Sequence, residues 1–256
     1  MASLLSYSKN ITSYDLLKTL ALLLMIIDHI GTYFLTETPE LRMIGRLSAP
    51  IWFFLIGYAN SRELDWRLWV GGLILMCASY LYYETIFPLS ILFTFLLFRF
   101  ILNPLMKRVG NNFVVIMVLF FTCAIFALPS MKLFEYGTGG LIFTCLGYFV
   151  RHKNHLSFKK EYLALIAIYG GCLYAIIQSL WFDFSPELTQ LSVFGIAGTA
   201  AFLTFFHSNE YPKASKNIGV FKYPLFIMGR KTLEIYVLHI LLFQYLGHII
   251  FQTVPQ

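Results

Sequence analysis

The chain has 256 residues, of which 58% are hydrophobic and 12% charged, and carries a formal net charge of +6. Soluble domains carry about 25% charged and about 45–50% apolar residues, so composition excludes a soluble enzyme or binding domain. The basic residues sit in short loops between apolar runs, which excludes a nucleic-acid-binding face and matches the charge bias of membrane topology. The expectation is an all-α, polytopic transmembrane helical bundle forming one domain over residues 1–256. No 50-residue polar-patterned stretch is present to form a soluble domain.

A bilayer needs about 20 apolar residues per helix, with a range near 17–25. On that basis the apolar runs predict about nine spans, at 15–35, 43–60, 66–84, 88–102, 112–129, 137–150, 161–182, 189–206 and 230–251. The first run is too long for a signal-peptide core and lacks a small-residue cleavage site, so no cleaved leader is expected. The fourth run opens at Pro88 and the sixth at Gly137, Gly139 and Gly140, which predicts irregular backbone lining a cavity there. Residues 207–229 read as the longest polar connection. All four cysteines (Cys77, Cys123, Cys145, Cys172) lie in apolar runs without ligand spacing, so they are expected as small buried hydrophobes and no metal site is expected.

Lysine and arginine set the direction. Lys9 and the even-numbered loops, with Arg62, Arg67, Lys107, Arg108, Arg151, Lys153, Lys159, Lys160, Lys213, Lys216, Lys222, Arg230 and Lys231, make 14 basic residues on one side. The other side holds Arg42, Arg46 and Lys132, while Lys18 and Arg99 fall within spans. The alternation predicts a multi-pass protein with a cytoplasmic N-terminus and the C-terminus outside.

The first span, which contains LLKTLALLLMIIDHIGT from Leu16 to Thr32, holds ionisable groups that belong to water. Each costs about 2.5–3.5 kcal/mol at a span's centre, so Asp28 and His29 mark a functional site by default. Lys18, Leu22, Met25, His29 and Thr32 share one helix face, and Asp28 is offset by about 100°. At 1.5 Å per residue His29 lies about 16 Å beyond Lys18, past the midplane. The second span returns from that side and opens with RMIGRLSAP, so Arg46, next to the small Gly45, enters at the depth of His29. A polar pocket of His29, Asp28 and Arg46 follows. A purely structural Asp28–Arg46 ion pair is the alternative.

The last span opens GRKTLEIYVLHILLF. Thr232, Tyr236, His239 and Phe243 lie along one face, and Arg230 and Glu234 are spaced to pair. His239 lies about 14 Å beyond Arg230, near mid-membrane. Tyr236 and His239 read either as interhelical hydrogen-bond partners or as a further wall of the His29 pocket. A haem held by His29 and His239 is disfavoured because the two counts place them at unequal depths.

The string Lys18-x6-Met25-x2-Asp28-His29, followed by Gly45-Arg46-x3-Pro50, resembles the TraX family of bacterial membrane proteins. Glu135-Tyr136-Gly137-x2-Gly140 is similar to that family's Asp-Tyr-Gly-x2-Gly turn, with Glu in place of Asp. Tyr236-x2-His239 is similar to its terminal Tyr-x2-His. The namesake acetylates the N-terminus of F-type pilin. The family is similar in turn to the acyltransferase-three and heparan N-acetyltransferase class, in which an early-span histidine is implicated in catalysis. The Arg-rich signature of the acyltransferase-three proteins is not legible here.

The resemblance implies an acyltransferase that takes an acyl group from cytoplasmic acetyl-CoA, as donor substrate, to an amine on the outer side. The acceptor it implies is a peptide such as pilin. His29 is the expected base, oriented by Asp28, and Arg46 or Tyr236 the expected oxyanion donor, with His239 in the same wall. Lys18, Lys222, Arg230 and Lys231 are the expected contacts to the anionic donor. No Ser or Cys sits in an activated context, so direct transfer is expected, with a transient acyl-histidine left open. Membrane lipid is the expected surrounding partner. A proton-coupled transporter or lipid scramblase using the Asp28/His29/Arg46 pocket, and a non-catalytic assembly partner, are the rival readings.

Overall fold

The computed structural model describes residues 8–253 apart from 111, 157 and 160; Lys160, counted above with the basic loops, therefore lies outside the described residues. In chain order the helices are α1 (Ser13–Tyr33), α2 (Pro39–Gly45), α3 (Ser48–Tyr58), α4 (Trp66–Tyr83), α5 (Ile91–Val109), α6 (Phe113–Ile125), α7 (Ala127–Met131), α8 (Gly139–Arg151), α9 (Glu161–Phe182), α10 (Pro186–Leu203), α11 (Pro212–Asn217), α12 (Lys222–Arg230) and α13 (Thr232–Thr253). Two short strands, β1 (Ile11–Thr12) and β2 (Glu210–Tyr211), pair antiparallel. The architecture is all-α, and each predicted apolar run folds as helix.

Two runs break where a proline falls. Pro50 has no N–H for the Arg46 carbonyl, and its ring crowds that oxygen. The run 43–60 accordingly divides at Arg46–Leu47 into α2 and α3, which replaces the single span expected there. Pro129 stands in the same relation to Ile125, the last residue of α6, so the run 112–129 ends early and restarts as α7. Pro104, by contrast, lies within α5 without ending it.

Helix α1 starts with a capping box. The Asp15 N–H donates to Thr12 Oγ1 at 3.1 Å, and the Thr12 N–H donates to Asp15 Oδ2 at 3.0 Å. Asp15 also pairs with Arg230, Nε to Oδ1 at 3.1 Å. Through this pair and the β1–β2 pairing, segment 207–229 folds back on the N-terminus as β2, α11 and α12, where the sequence predicted a polar connection.

Helix α1, helix α9 and residues Thr232–Ile250 of α13 are long and apolar enough to cross a membrane; the other described helices fall short in length or apolarity. The exterior is strongly apolar, with Leu81, Phe100, Phe194 and Leu238 well exposed. Such a surface is unfavourable in water and neutral against lipid, as expected of a membrane protein. Cys77 follows this pattern. It is exposed on α4, while Cys123 and Cys145 are buried as expected. An apolar run at a lipid boundary turns part of itself outward, so apolarity alone did not imply burial for Cys77.

The core centres on α3. Phe53 and Phe54 are fully buried, and α3 packs on α8 through reciprocal glycines. A Cβ at Gly57 would overlap the Thr144 carbonyl oxygen, and one at Gly147 the Phe54 carbonyl oxygen. This close contact leaves α3 buried except at Trp52, and Arg46, just before it, sits against α1.

Candidate functional site: a histidine pair beside a cavity

Asp28 is 2% exposed and faces two guanidiniums. Arg46 Nη2 lies 3.1 Å from Asp28 Oδ2, and Arg42 Nη1 lies 3.6 Å from Oδ1. Gly45 makes the approach possible, because a Cβ there would overlap the Asp28 side chain and backbone. Arg46 Nη1 donates to the Tyr136 hydroxyl at 3.0 Å. The Phe182 ring of α9 covers both guanidiniums, 4.2 Å from Arg46 Cζ and 4.7 Å from Arg42 Cζ. The carboxylate is held by two cations beneath a stacked ring, while Asp28 Oδ1 and Arg46 Nε have no hydrogen-bond partner among the described residues.

His29 sits one residue further and faces a different way. Its Nδ1 lies 2.8 Å from His239 Nε2, and the rings stack with centroids 5.0 Å apart. His239 Nδ1 lies 2.9 Å from the Ile235 carbonyl oxygen, which can only accept, so this nitrogen carries a proton. With both rings neutral, His239 Nε2 must accept from His29 Nδ1–H. His29 Nε2 is then left with an unshared lone pair. Asp28 Oδ2 lies 4.0 Å from that nitrogen, too far for a hydrogen bond but close enough to favour a proton arriving there.

The His29–His239 contact corrects the expectation of unequal depths. Rise per residue measures position along one helix only. Helix α13 begins at Thr232, after a break at Lys231 that ends α12, so the two counts had no common origin. The expected meeting of Arg46 with His29 is also indirect: Asp28 stands between them.

Two cavities lie nearby, one of them lined by His29. One, about 200 Å³, is lined by His29, Tyr33, Glu135, Tyr236 and Gln244 among others. The second, about 320 Å³, is lined by Lys18, Arg67, Arg99, Arg230 and Asp65, with apolar walls from Met25, Leu92 and Phe95. Tyr236 lines both. Its ring centroid lies 6.3 Å from that of His29, and its hydroxyl makes no hydrogen bond with any described residue.

Lys18 and Arg230 thus take places in the cationic cavity, whereas Lys222 and Lys231 do not. Lys222 lies over the Tyr223 ring at 5.7 Å, and Lys231 reaches Glu234 at 3.7 Å. The expected Arg230–Glu234 pair is replaced: Arg230 turns to Asp15, and Glu234 pairs with Arg67. Helix spacing permitted the first pair, but Arg230 ends α12 and Glu234 lies in the first turn of α13, so they are not on one helix. Sequence reasoning missed Arg67 and Arg99 as cavity residues. Arg99 carried the available signal, a cation inside an apolar run. Glu135 was noted in a motif but not assigned to the cavity it lines.

A family profile described as "TraX protein" matches residues 13–246. The chain is 27% identical over 247 residues to an uncharacterized protein of Rickettsia prowazekii, covering 93% of this chain and 94% of that protein. It is 30% identical over 175 residues to the protein TraX of Escherichia coli, covering 65% of this chain and 64% of that protein. No solved structure matches significantly.

Proposed function

The chain belongs to the TraX family, and from that premise we propose that it is an acyltransferase of the bacterial inner membrane. It moves an acetyl group from cytoplasmic acetyl-CoA to an amine on the outer side, the N-terminus of a pilin-like peptide being the acceptor that the family suggests. The proposed topology has about nine spans and a cytoplasmic N-terminus. The observation that carries this reading is that Tyr236 lines both a cationic cavity and a cavity containing His29.

In this arrangement the cationic cavity opens toward the cytoplasm. Among the described residues Lys18 makes no ion pair, and Arg99 donates to the Glu63 carbonyl oxygen, at 2.7 Å. Both retain charge for an anionic donor. The apolar walls at Met25, Leu92 and Phe95 suit the thioester arm, which brings the carbonyl to Tyr236. The acceptor enters from the other side.

The neutral amine attacks the thioester carbonyl, forming a C–N bond as the C–S bond breaks. The nitrogen's proton passes to His29 Nε2 and from there to the departing thiolate, giving the amide and free CoA thiol. The Tyr236 hydroxyl donates to the oxygen on which charge develops. His239 holds the His29 tautomer that leaves Nε2 bare, and Asp28 balances the imidazolium formed in transit. No acyl-enzyme is required.

Purified protein in lipid nanodiscs, given acetyl-CoA and a peptide with a free N-terminus, is expected to produce acetylated peptide and CoA thiol in equal amounts. Proton-coupled or lipid flux in vesicles without acyl-CoA, and no acetylated product, would replace this reading with a transporter or scramblase.

A further inference from the structure

The turn between α7 and α8 forms a wall of the His29 cavity that the transfer step leaves unused. Tyr136 and Gly137 take positive φ there, and Leu89 forms a parallel bridge with Phe134. The Leu89 N–H donates to the Leu133 carbonyl, and the Glu135 N–H to the Leu89 carbonyl, both at 2.9 Å. Thr94 Oγ1 donates to the Glu135 carbonyl at 3.0 Å. The Glu135 backbone is thereby fixed against the start of α5. The Ile91 N–H donates to Glu135 Oε2 at 2.8 Å, so one oxygen caps that helix. The other, Oε1, has no hydrogen bond with a described residue. Among the described residues, Glu135 is the only formally charged side chain lining this cavity; the remaining polar lining is hydroxyl, amide and imidazole. The nearby Arg46 is occupied by Asp28 and Tyr136.

A cavity whose one charge is a rigidly held carboxylate selects a cation. We propose that Glu135 is the acceptor-recognition group, its Oε1 receiving an N–H of a primary alkylammonium, such as a peptide α-ammonium, and holding that nitrogen toward His29. This inference rests on the acyl-transfer reading. The ammonium gives one proton to the carboxylate, so that R–NH3+ and carboxylate become R–NH2 and carboxylic acid. The amine then attacks as described, and the carboxylic acid returns its proton to water in the cavity. Recognition of this kind separates amines from alcohols and from already acylated termini.

The test measures binding and turnover separately in lipid nanodiscs. A short peptide with a free N-terminus and its N-acetylated twin are titrated by calorimetry against wild type, Glu135→Gln and Glu135→Asp. Glutamine keeps an oxygen for the Ile91 N–H, so the cap survives while the charge is lost. Wild type is expected to prefer the free amine by about tenfold or more, Glu135→Gln to lose that preference, and Glu135→Asp to regain part of it. Equal preference in wild type and Glu135→Gln, or none in wild type, overturns the proposal. Amine-selective binding that depends on Glu135, without acetyl transfer by wild type, leaves the recognition site standing and faults the acyl-transfer reading alone.

Discussion

His29 and His239, 210 residues apart, share one hydrogen bond of 2.8 Å from Nδ1 to Nε2 across α1 and α13. The Ile235 carbonyl at the far end of this relay decides which nitrogen of each ring is bare. The two histidines are therefore unequal. His29→Ala removes the base and is expected to lower kcat by about 10²–10⁴-fold. His239→Ala removes only the partner that holds the tautomer, and is expected to cost about 10–100-fold. It should also shift the pH profile of kcat, which loss of packing alone would not do. Steady-state kinetics across a pH series check both outcomes.

Asp28 is expected to matter first for stability. Asp28→Ala leaves Arg42 and Arg46 facing each other beneath Phe182 without a counter-charge. Breaking a buried pair from one side costs about 3–5 kcal/mol. The double variant Asp28→Ala/Arg46→Met should recover part of that loss, because it removes a stranded charge. Thermal unfolding in detergent, followed by tryptophan fluorescence, checks the order wild type, double variant, single variant.

The α1–α2 and α3–α8 contacts depend on absent side chains. Gly45→Ala would drive a methyl into Asp28, and Gly57→Ala into the Thr144 carbonyl. Each meets backbone as well as or instead of a movable side chain, so the helices themselves must part. Overpacking of this kind costs about 1–3 kcal/mol. Gly198→Ala is the control, since a Cβ there meets nothing within 4 Å. Unfolding midpoints of the three variants should fall below, below and level with wild type.

Donor binding should follow the cavity rather than the density of basic residues. Arg99→Ala is expected to raise the KM for acetyl-CoA about tenfold while leaving the KM for the peptide unchanged. Lys222→Ala, outside the cavity, should change neither. Initial rates with one substrate varied at a time make the comparison.

The sequence by itself determined the helical character, the apolar runs and the residues that do not belong in lipid. These are local properties: an apolar run is legible without its neighbours, and Asp28 beside His29 is costly wherever the helix lies; the breaks before Pro50 and Pro129, absent at Pro104, came only with the structure. The motif resemblance was equally local, and the family profile over residues 13–246 bears it out. Only the tertiary structure decided which of these groups meet. Whether His239 reaches His29, whether Arg230 turns to Asp15 instead of Glu234, and whether Glu135 faces a cavity all depend on contacts between segments distant in the chain. Periodicity assigns a residue to a face of its own helix. The partner on that face is chosen by how helices pack, through close approaches such as Gly45 on Asp28, and no count along one axis contains that information.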